Sequence, residues 1–140
     1  MHPSPRALPR AAVALGCAAA VLAACTKEAS INRRPNGGTA TATVVDGLQV
    51  IVVKAGDTYR FDPARIIVHP GPVRVALENV GKGAPHDWTL TDLPGAATAL
   101  ASSGETKTAT FTAPAPGTYT FVCTIHKKQG QTGKLVVVKD

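Results

Sequence analysis

Short runs of strand-forming residues separated by glycine and proline occupy this chain from Val44 onward, and they limit its fold more than any other feature. The runs are rich in Val, Ile, Thr and aromatic residues, and several alternate apolar with polar positions. About seven short strands at this spacing predict an all-β fold, a Greek-key antiparallel β-sandwich. One helical turn is expected at residues 96–102. The predicted strands are residues 49–54, 65–68, 73–78, 87–90, 106–112, 118–123 and 134–139.

The alternation in the sixth predicted strand indicates where its cysteine points. Tyr119, Phe121 and Cys123 share one face, so the thiol is expected at the end of the strand and in the apolar interior. Burial among apolar groups raises the pKa of a thiol and makes it inert. A bound metal cation reverses this effect and holds the sulfur deprotonated.

The first 24 residues have the composition of an export signal. Arg6 and Arg10 supply a positive start, and residues 11–24 are apolar but too few to span a bilayer comfortably. This stretch ends in Leu22-Ala23-Ala24-Cys25, which resembles the lipobox of bacterial lipoproteins. Cleavage before Cys25 and acylation of that cysteine would give an exported, membrane-anchored protein. An ordinary cleaved signal is the alternative.

The rest of the chain divides into two parts. Residues 25–43 are rich in Thr, Asn, Gly, Pro and Ala without periodicity, which predicts a flexible tether. Residues 44–140 form the predicted folded domain, and a chain of 140 residues leaves little room for a second one.

Charge and cysteine content narrow the functional classes. Loss of Arg6 and Arg10 with the signal lowers the formal charge from +6 to +4, and clusters of basic and aromatic residues are absent, so nucleic-acid binding is not predicted. Cys17 leaves with the signal and Cys25 would be acylated, so Cys123 is the remaining thiol. A single cysteine in an exported protein is inert, reactive or held by a metal.

The residues around Cys123 favour a metal. His126 follows three residues later, His86 lies upstream in Ala-Pro-His-Asp-Trp, and no methionine follows Met1. One thiolate and two imidazoles are the strong ligands of a blue-copper electron-transfer site, which adds a weak axial ligand. Zinc accepts the same donors, so these residues alone leave the metal open.

Four segments together resemble the cupredoxins, the small blue copper proteins, and are most similar to the plastocyanin branch. The resemblance covers residues 49–139 and rests on the order of the four segments. They are the entry Tyr59-Arg60-Phe61-Asp62-Pro63 with the following Ile-Ile-Val, the segment Asn79-Val80-Gly81 with Pro85-His86-Asp87, the strand Pro116 to Cys123, and the loop from Cys123 to Gln131.

The resemblance implies one copper ion, cycling between Cu(I) and Cu(II), with His86, Cys123 and His126 as ligands. Plastocyanins carry an axial Met eight residues after the cysteine, where this chain has Gln131. Shorter loops in related proteins place the axial residue at Gln129, and a site without an axial side chain is the third alternative. Because an amide oxygen is harder than a thioether, Gln would favour Cu(II) and lower the reduction potential.

The resemblance also implies supporting roles near the metal. The Pro85 carbonyl would lie beside the site, the Asp87 backbone N–H would point at the Cys123 sulfur, and the Asp87 side chain would bond near Thr124. Relatives carry Asn in place of Asp87, so an added negative charge here would further favour Cu(II).

An electron carrier without enzymatic activity is therefore expected. The resemblance implies that a cytochrome or a copper oxidase or reductase docks at the exposed edge of His126, where Lys127 and Lys128 would steer an acidic partner. The protein is expected to be a monomer on the periplasmic or extracellular side of a membrane. The alternatives are copper delivery, or a module of the same fold that holds zinc or no metal.

Overall fold

The computed structural model describes residues 37–139. The predicted signal, the acylation site Cys25 and the tether as far as residue 36 lie outside the described residues. Within residues 37–139, no helix has the length and hydrophobicity needed to cross a bilayer.

The described residues form ten short strands and one 3₁₀ helix, which confirms an all-β fold. Runs of Val, Ile and Thr form the long strands because branched side chains pack well on a pleated surface. The strands are β1 Thr39–Thr41, β2 Thr43–Val45, β3 Leu48–Ala55, β4 Phe61–Asp62, β5 Arg65–Val68, β6 Pro72–Asn79, β7 Thr89–Leu90, β8 Thr106–Thr112, β9 Gly117–Val122 and β10 Thr132–Val137, and the 3₁₀ helix is Lys127–Gln129.

These strands form the predicted sandwich of two sheets. One sheet has the order β1-β5-β10-β9-β7, and the other has the order β2-β3-β6-β8 with β4 paired to β3. Three of the pairings are parallel, namely β1 with β5, β10 with β5, and β3 with β6. The other pairings of the described strands are antiparallel, as the sequence predicts.

Apolar side chains between the sheets form the core. Phe121 is fully buried and its ring lies 5.2 Å from the rings of both Phe61 and Trp88, centroid to centroid. A Cβ on Gly133 would overlap the Phe121 ring, so glycine is required at that point of β10. Loss of a buried aromatic ring of this kind costs about 3–5 kcal/mol. The ring of Phe121 therefore fixes the position of β9, the strand that leads to Cys123.

Two local predictions are corrected. The folded part includes residues 37–43, which were assigned to the tether, because β1 pairs with β5 and Ala40 packs against the core. Residues 96–102 form no helical turn. Their backbone instead returns to the segment that carries His86, through the pairs His86–Ala101 and Thr89–Ala97.

Candidate metal centre

Cys123 comes directly after β9 and is fully buried, as the alternation predicts. Its backbone N–H donates to the Gln131 carbonyl at 3.0 Å, which closes the loop between β9 and β10. Inside this loop the 3₁₀ helix runs from Lys127 to Gln129, and Gly130 follows with a positive φ of 84°. Glycine adopts that conformation readily. The loop therefore returns the chain to the site within eight residues.

Two histidines converge on the Cys123 sulfur. The sulfur lies 3.5 Å from His126 Nδ1, and the His86 and His126 rings are 4.9 Å apart between centroids. One nitrogen of each ring and the sulfur all lie within 4.8 Å of one another. Because imidazole and thiolate bind a metal ion at roughly 2.0–2.3 Å, these three atoms are close to the separation that one ion imposes.

Gln131 is the glutamine that reaches the cluster. Its side chain is 0% exposed, and its Oε1 lies 3.0 Å from His86 Nδ1, which donates the hydrogen bond. Gln129 is exposed in the 3₁₀ helix, so its side chain does not share this position. The structure thus separates the two glutamines that the sequence left as alternatives.

Asp87 links the two segments that carry the cluster. Its Oδ1 accepts the Thr124 backbone N–H at 2.7 Å, and its Oδ2 accepts the Thr124 hydroxyl at 2.9 Å. A third bond comes from the Thr89 hydroxyl at 3.1 Å. The predicted contact between Asp87 and Thr124 is confirmed. It holds the residue after His86 against the residue after Cys123.

Burial controls the protonation of the cluster. Desolvation raises the pKa of the Cys123 thiol, against the opposing effect of a hydrogen bond from the Asp87 backbone N–H. Desolvation also lowers the pKa of His86 and of His126, and at His86 this effect outweighs the hydrogen bond with Gln131. Without a cation the site therefore favours a neutral thiol and neutral imidazoles.

Two buried nitrogens within this site have no hydrogen-bond partner: Nε2 of His86 and Nε2 of Gln131. Buried polar atoms without partners are rare, and each one calls for an explanation. Because His86 donates through Nδ1, its Nε2 carries a free lone pair. A soft thiolate, two neutral imidazoles and one amide form a donor set that fits copper, and the thiolate and imidazoles also suit zinc.

Comparison with known proteins settles the family. A sequence profile of the cupredoxin-like domain matches residues 15–137. This chain belongs to the cupredoxin-like family. Auracyanin A, a "blue" copper protein from the green thermophilic photosynthetic bacterium Chloroflexus aurantiacus, is similar to this cupredoxin with 28% identity and a TM-score of 0.58, over 65% of this chain and 99% of that one.

Two further structures share the fold of this cupredoxin. Dithionite-reduced auracyanin from the photosynthetic bacterium Roseiflexus castenholzii is 24% identical, with a TM-score of 0.58 over 64% of this chain and 96% of that one. The metal-binding domain of a Cu(I)-exporting P-type ATPase from Streptococcus pneumoniae, with Cu(I), is 21% identical, with a TM-score of 0.61 over 74% and 99%. The family, the blue-copper relative and the His–Cys–His cluster together support copper binding and electron transfer.

Tyr59 is a residue that the sequence analysis did not place at the site of this cupredoxin. Its ring centroid lies 4.5 Å from that of His126 and 6.3 Å from that of His86. An exposed edge of His126 was expected. The residue is only 9% exposed, because the Tyr59 ring packs on it. The available sequence signal was Tyr59 and Arg60, an aromatic and a basic residue just before Phe61. No neighbouring residue indicates that these two side chains face the loop after Cys123.

The remaining predicted residues lie at the surface around the cluster. Lys127 and Lys128 are exposed in the 3₁₀ helix beside His126, as predicted for solvated loop charges. Pro85 is exposed just before the buried His86. The role of its carbonyl beside a metal stays a prediction.

Proposed function

We propose that this protein is an exported, membrane-tethered, mononuclear type 1 copper protein that carries single electrons between redox partners. His86, Cys123 and His126 are the strong ligands, and Gln131 is the axial ligand. The observation that carries the proposal is the convergence of these four side chains in a buried pocket at the end of the sandwich. The 28% identical auracyanin, described as a blue copper protein, supports the same chemistry.

The protein's part in electron transfer is to hold its ligands in one arrangement and to exclude water. Copper supplies the one-electron Cu(I)/Cu(II) couple. Asp87 fixes the two ligand-carrying segments to each other through its hydrogen bonds with Thr124. Such bonds around the ligands orient them and tune the metal, so both oxidation states meet the same donor set.

We place the protein at a membrane surface, where it acts as a monomer. The lipobox-like sequence before Cys25 supports a lipid anchor on the periplasmic or extracellular side. The exposed Lys127 and Lys128 beside His126 form a basic rim that attracts an acidic surface on a cytochrome, or on a copper oxidase or reductase. The expected signature is association that slows as ionic strength increases.

Copper delivery and enzymatic catalysis fit the site less well. A delivery site needs exchangeable ligands, whereas His86 and Cys123 are fully buried and His126 nearly so. A nucleophilic cysteine needs a low pKa, whereas burial raises the pKa of Cys123. We therefore propose that the protein is not an enzyme.

Copper titration tests the proposed function. Protein produced without residues 1–25 is titrated with Cu(II) and followed by absorption and EPR spectroscopy. We expect an intense thiolate-to-copper band in the visible region and a small copper hyperfine splitting. Cys123→Ser should abolish both, and His69→Gln should change neither, because His69 lies outside the cluster.

A pale complex with ordinary hyperfine splitting would contradict the proposal. Zinc binding or copper delivery would then be the better interpretation. A competition titration against Zn(II) and a Cu(I) chelator separates these two, because a delivery protein releases Cu(I) readily and a zinc protein retains Zn(II).

A further inference from the structure

The loop between β3 and β4, residues 56–60, contacts both segments that carry the cluster. We call it the clamp loop. Asp57 accepts hydrogen bonds from the backbone N–H groups of Lys82, at 3.0 and 3.1 Å, and Gly83, at 3.1 Å, in the segment leading to His86. A Cβ on Gly81 would lie 2.7 Å from Asp57 Oδ1, so this approach depends on glycine.

Arg60 makes the contact on the other side. Its Nη1 donates to the Gln129 carbonyl at 2.6 Å and to the Tyr59 carbonyl at 2.7 Å, although the residue is only 8% exposed. A Cβ on Gly130 would lie 3.4 Å from the same nitrogen. A buried guanidinium therefore holds the turn between His126 and Gln131 through its backbone, without touching either side chain in these bonds.

Tyr59 lies between these two anchors with a backbone φ of 54°. This left-handed conformation suits Gly or Asn and is an outlier for a bulky side chain. Residues of this kind persist where the surrounding structure holds them, and they cluster at ligand clamps and active sites. The Tyr59 ring packs on His126, which gives the unusual residue a contact that Gly or Asn would not provide.

We propose that the clamp loop fixes the His86 segment and the 123–131 loop in their binding arrangement before a metal enters, with Arg60 as the positioning residue of the 123–131 loop. This inference rests on the proposed ligand set. Asp57 and Arg60 hold backbone groups on opposite sides, and Tyr59 covers the His126 ring. The site is therefore organised by three residues outside the proposed ligand set.

Amide hydrogen exchange of the metal-free protein tests the clamp directly. Arg60→Met removes the charge and the hydrogen bonds but keeps an unbranched side chain. We expect the amides of Gln129, Gly130 and Gln131 to exchange about tenfold faster or more, because their loop opens locally without the anchor. Arg60→Lys should give an intermediate rate. Arg74→Met, the same change on an exposed arginine that bonds Thr110, should leave these amides unchanged.

Equal exchange at these three amides in Arg60→Met and in the unmodified protein would overturn the proposal. If Arg60→Met does not fold, Tyr59→Asn tests the same loop, because Asn tolerates the left-handed backbone and removes the ring. Diethyl pyrocarbonate should then modify His126 in the metal-free protein about tenfold faster. Tyr59→Phe keeps the ring, so its His126 should be modified at the rate seen in the unmodified protein. The same rate in Tyr59→Asn would also overturn the proposal.

The two proposals fail in different ways. The clamp is measured without metal, so unchanged exchange and unchanged histidine modification refute it even if the copper protein is blue. A pale copper complex of the unmodified protein refutes the proposed function even if the clamp variants behave as expected. Release of copper to a chelator, faster in Arg60→Met than in Arg74→Met, links the two.

Discussion

Gln49 and Gln131 are both buried glutamines, 5% and 0% exposed, but their amides are satisfied very differently. Gln49 Nε2 donates to the His69 carbonyl at 2.8 Å, and its Oε1 accepts the His69 N–H at 2.7 Å. Gln131 uses Oε1 for one bond with His86, while its Nε2 has no partner. Both the oxygen and the nitrogen of the Gln49 amide have a partner, whereas only the oxygen of the Gln131 amide has one.

The positions of the two amides explain the difference. Gln49 lies near the start of β3 and joins it to the turn after β5 through His69. The clamp loop follows the other end of the same eight-residue strand. A buried amide whose oxygen and nitrogen both have partners stabilises the fold, whereas an unpaired buried atom calls for an explanation such as a bound ion or a functional role. We therefore assign Gln49 a structural role and propose a functional one for Gln131.

The largest effect is expected at the structural glutamine. Gln49→Met keeps the length of the side chain but removes both hydrogen bonds to the His69 backbone. We expect the free energy of unfolding to fall by about 1–3 kcal/mol, since each hydrogen bond contributes about 0.5–1.5 kcal/mol.

Urea denaturation of the metal-free protein measures this loss. Gln129→Met, the same change at an exposed position, should stay within about 0.5 kcal/mol of the unmodified protein. The copper spectrum of Gln49→Met should not change. If Gln49→Met loses little stability, the contrast between Gln49 and Gln131 does not hold.

The second effect is a dependence of stability on pH that arises at the site. The pKa values of His86 and His126 are lowered from 6.5 by burial, so the folded, metal-free protein keeps them neutral where the unfolded chain takes up protons. This stability is complete above pH 6.5 and is lost as pH falls through the folded pKa values. The slope is at most about 1.4 kcal/mol per pH unit for each histidine.

Urea titrations between pH 7.5 and 5 measure this slope. His126→Asn should reduce it, whereas Gln49→Met should leave the slope unchanged on a lower baseline. The pH dependence has the opposite sign for Cys123, because burial raises its pKa above 9.0. Stability is therefore lost as pH rises beyond that value, and Cys123→Ser should not show this loss. An acid slope that is as steep in His126→Asn as in the unmodified protein would place the titrating groups elsewhere.

Local alternation and the resemblance to cupredoxins together predicted the cluster. The alternation of Phe121 and Cys123 gave the direction of the thiol, because strand geometry determines which side chains share a face. The resemblance supplied His86 and the return of the loop from His126 to a glutamine, with Gln131 and Gln129 as alternatives. The structure then separates the two, because Gln131 is fully buried and Gln129 is exposed.

Long-range contacts that the resemblance to cupredoxins did not imply were beyond the sequence. Arg60 meets the Gln129 carbonyl 69 residues away, and β1 pairs in parallel with β5. A helical turn is expected at residues 96–102, yet the backbone of Ala97 and Ala101 pairs with the segment around His86. In each case the partner lies in another part of the chain, and no local signal identifies it.

A smaller effect is expected at Asp87, which should influence both the stability of the protein and its reduction potential. Asp87→Asn retains one oxygen that can accept the Thr124 N–H but removes the negative charge. We expect a loss of about 1 kcal/mol in the free energy of unfolding, because hydrogen bonds to a charged group are stronger than neutral ones. The reduction potential of the copper protein should rise, because a negative charge near the metal favours Cu(II).

Voltammetry and urea denaturation of Asp87→Asn measure the two effects. Asp92→Asn, an exposed carboxylate after β7, is the matched control and should change neither quantity. An unchanged potential in Asp87→Asn would restrict Asp87 to holding the two segments together.

The smallest change in stability is expected at Gln131, although Gln131→Met is the same substitution that is costly at Gln49. The variant loses one hydrogen bond to His86 but also removes the unpaired Nε2 from the interior. Because these two effects oppose each other, the unfolding free energy of the metal-free protein should change by less than about 1 kcal/mol. The larger effect of Gln131→Met should be on the reduction potential of the copper protein.

A thioether favours Cu(I) relative to an amide oxygen, so Gln131→Met should raise the reduction potential. A tenfold shift in the Cu(I)/Cu(II) equilibrium corresponds to about 59 mV for one electron. Gln129→Met should leave the potential unchanged. A potential that does not move in Gln131→Met, together with a stability loss as large as that of Gln49→Met, would make Gln131 a second structural amide and remove the distinction between the two glutamines.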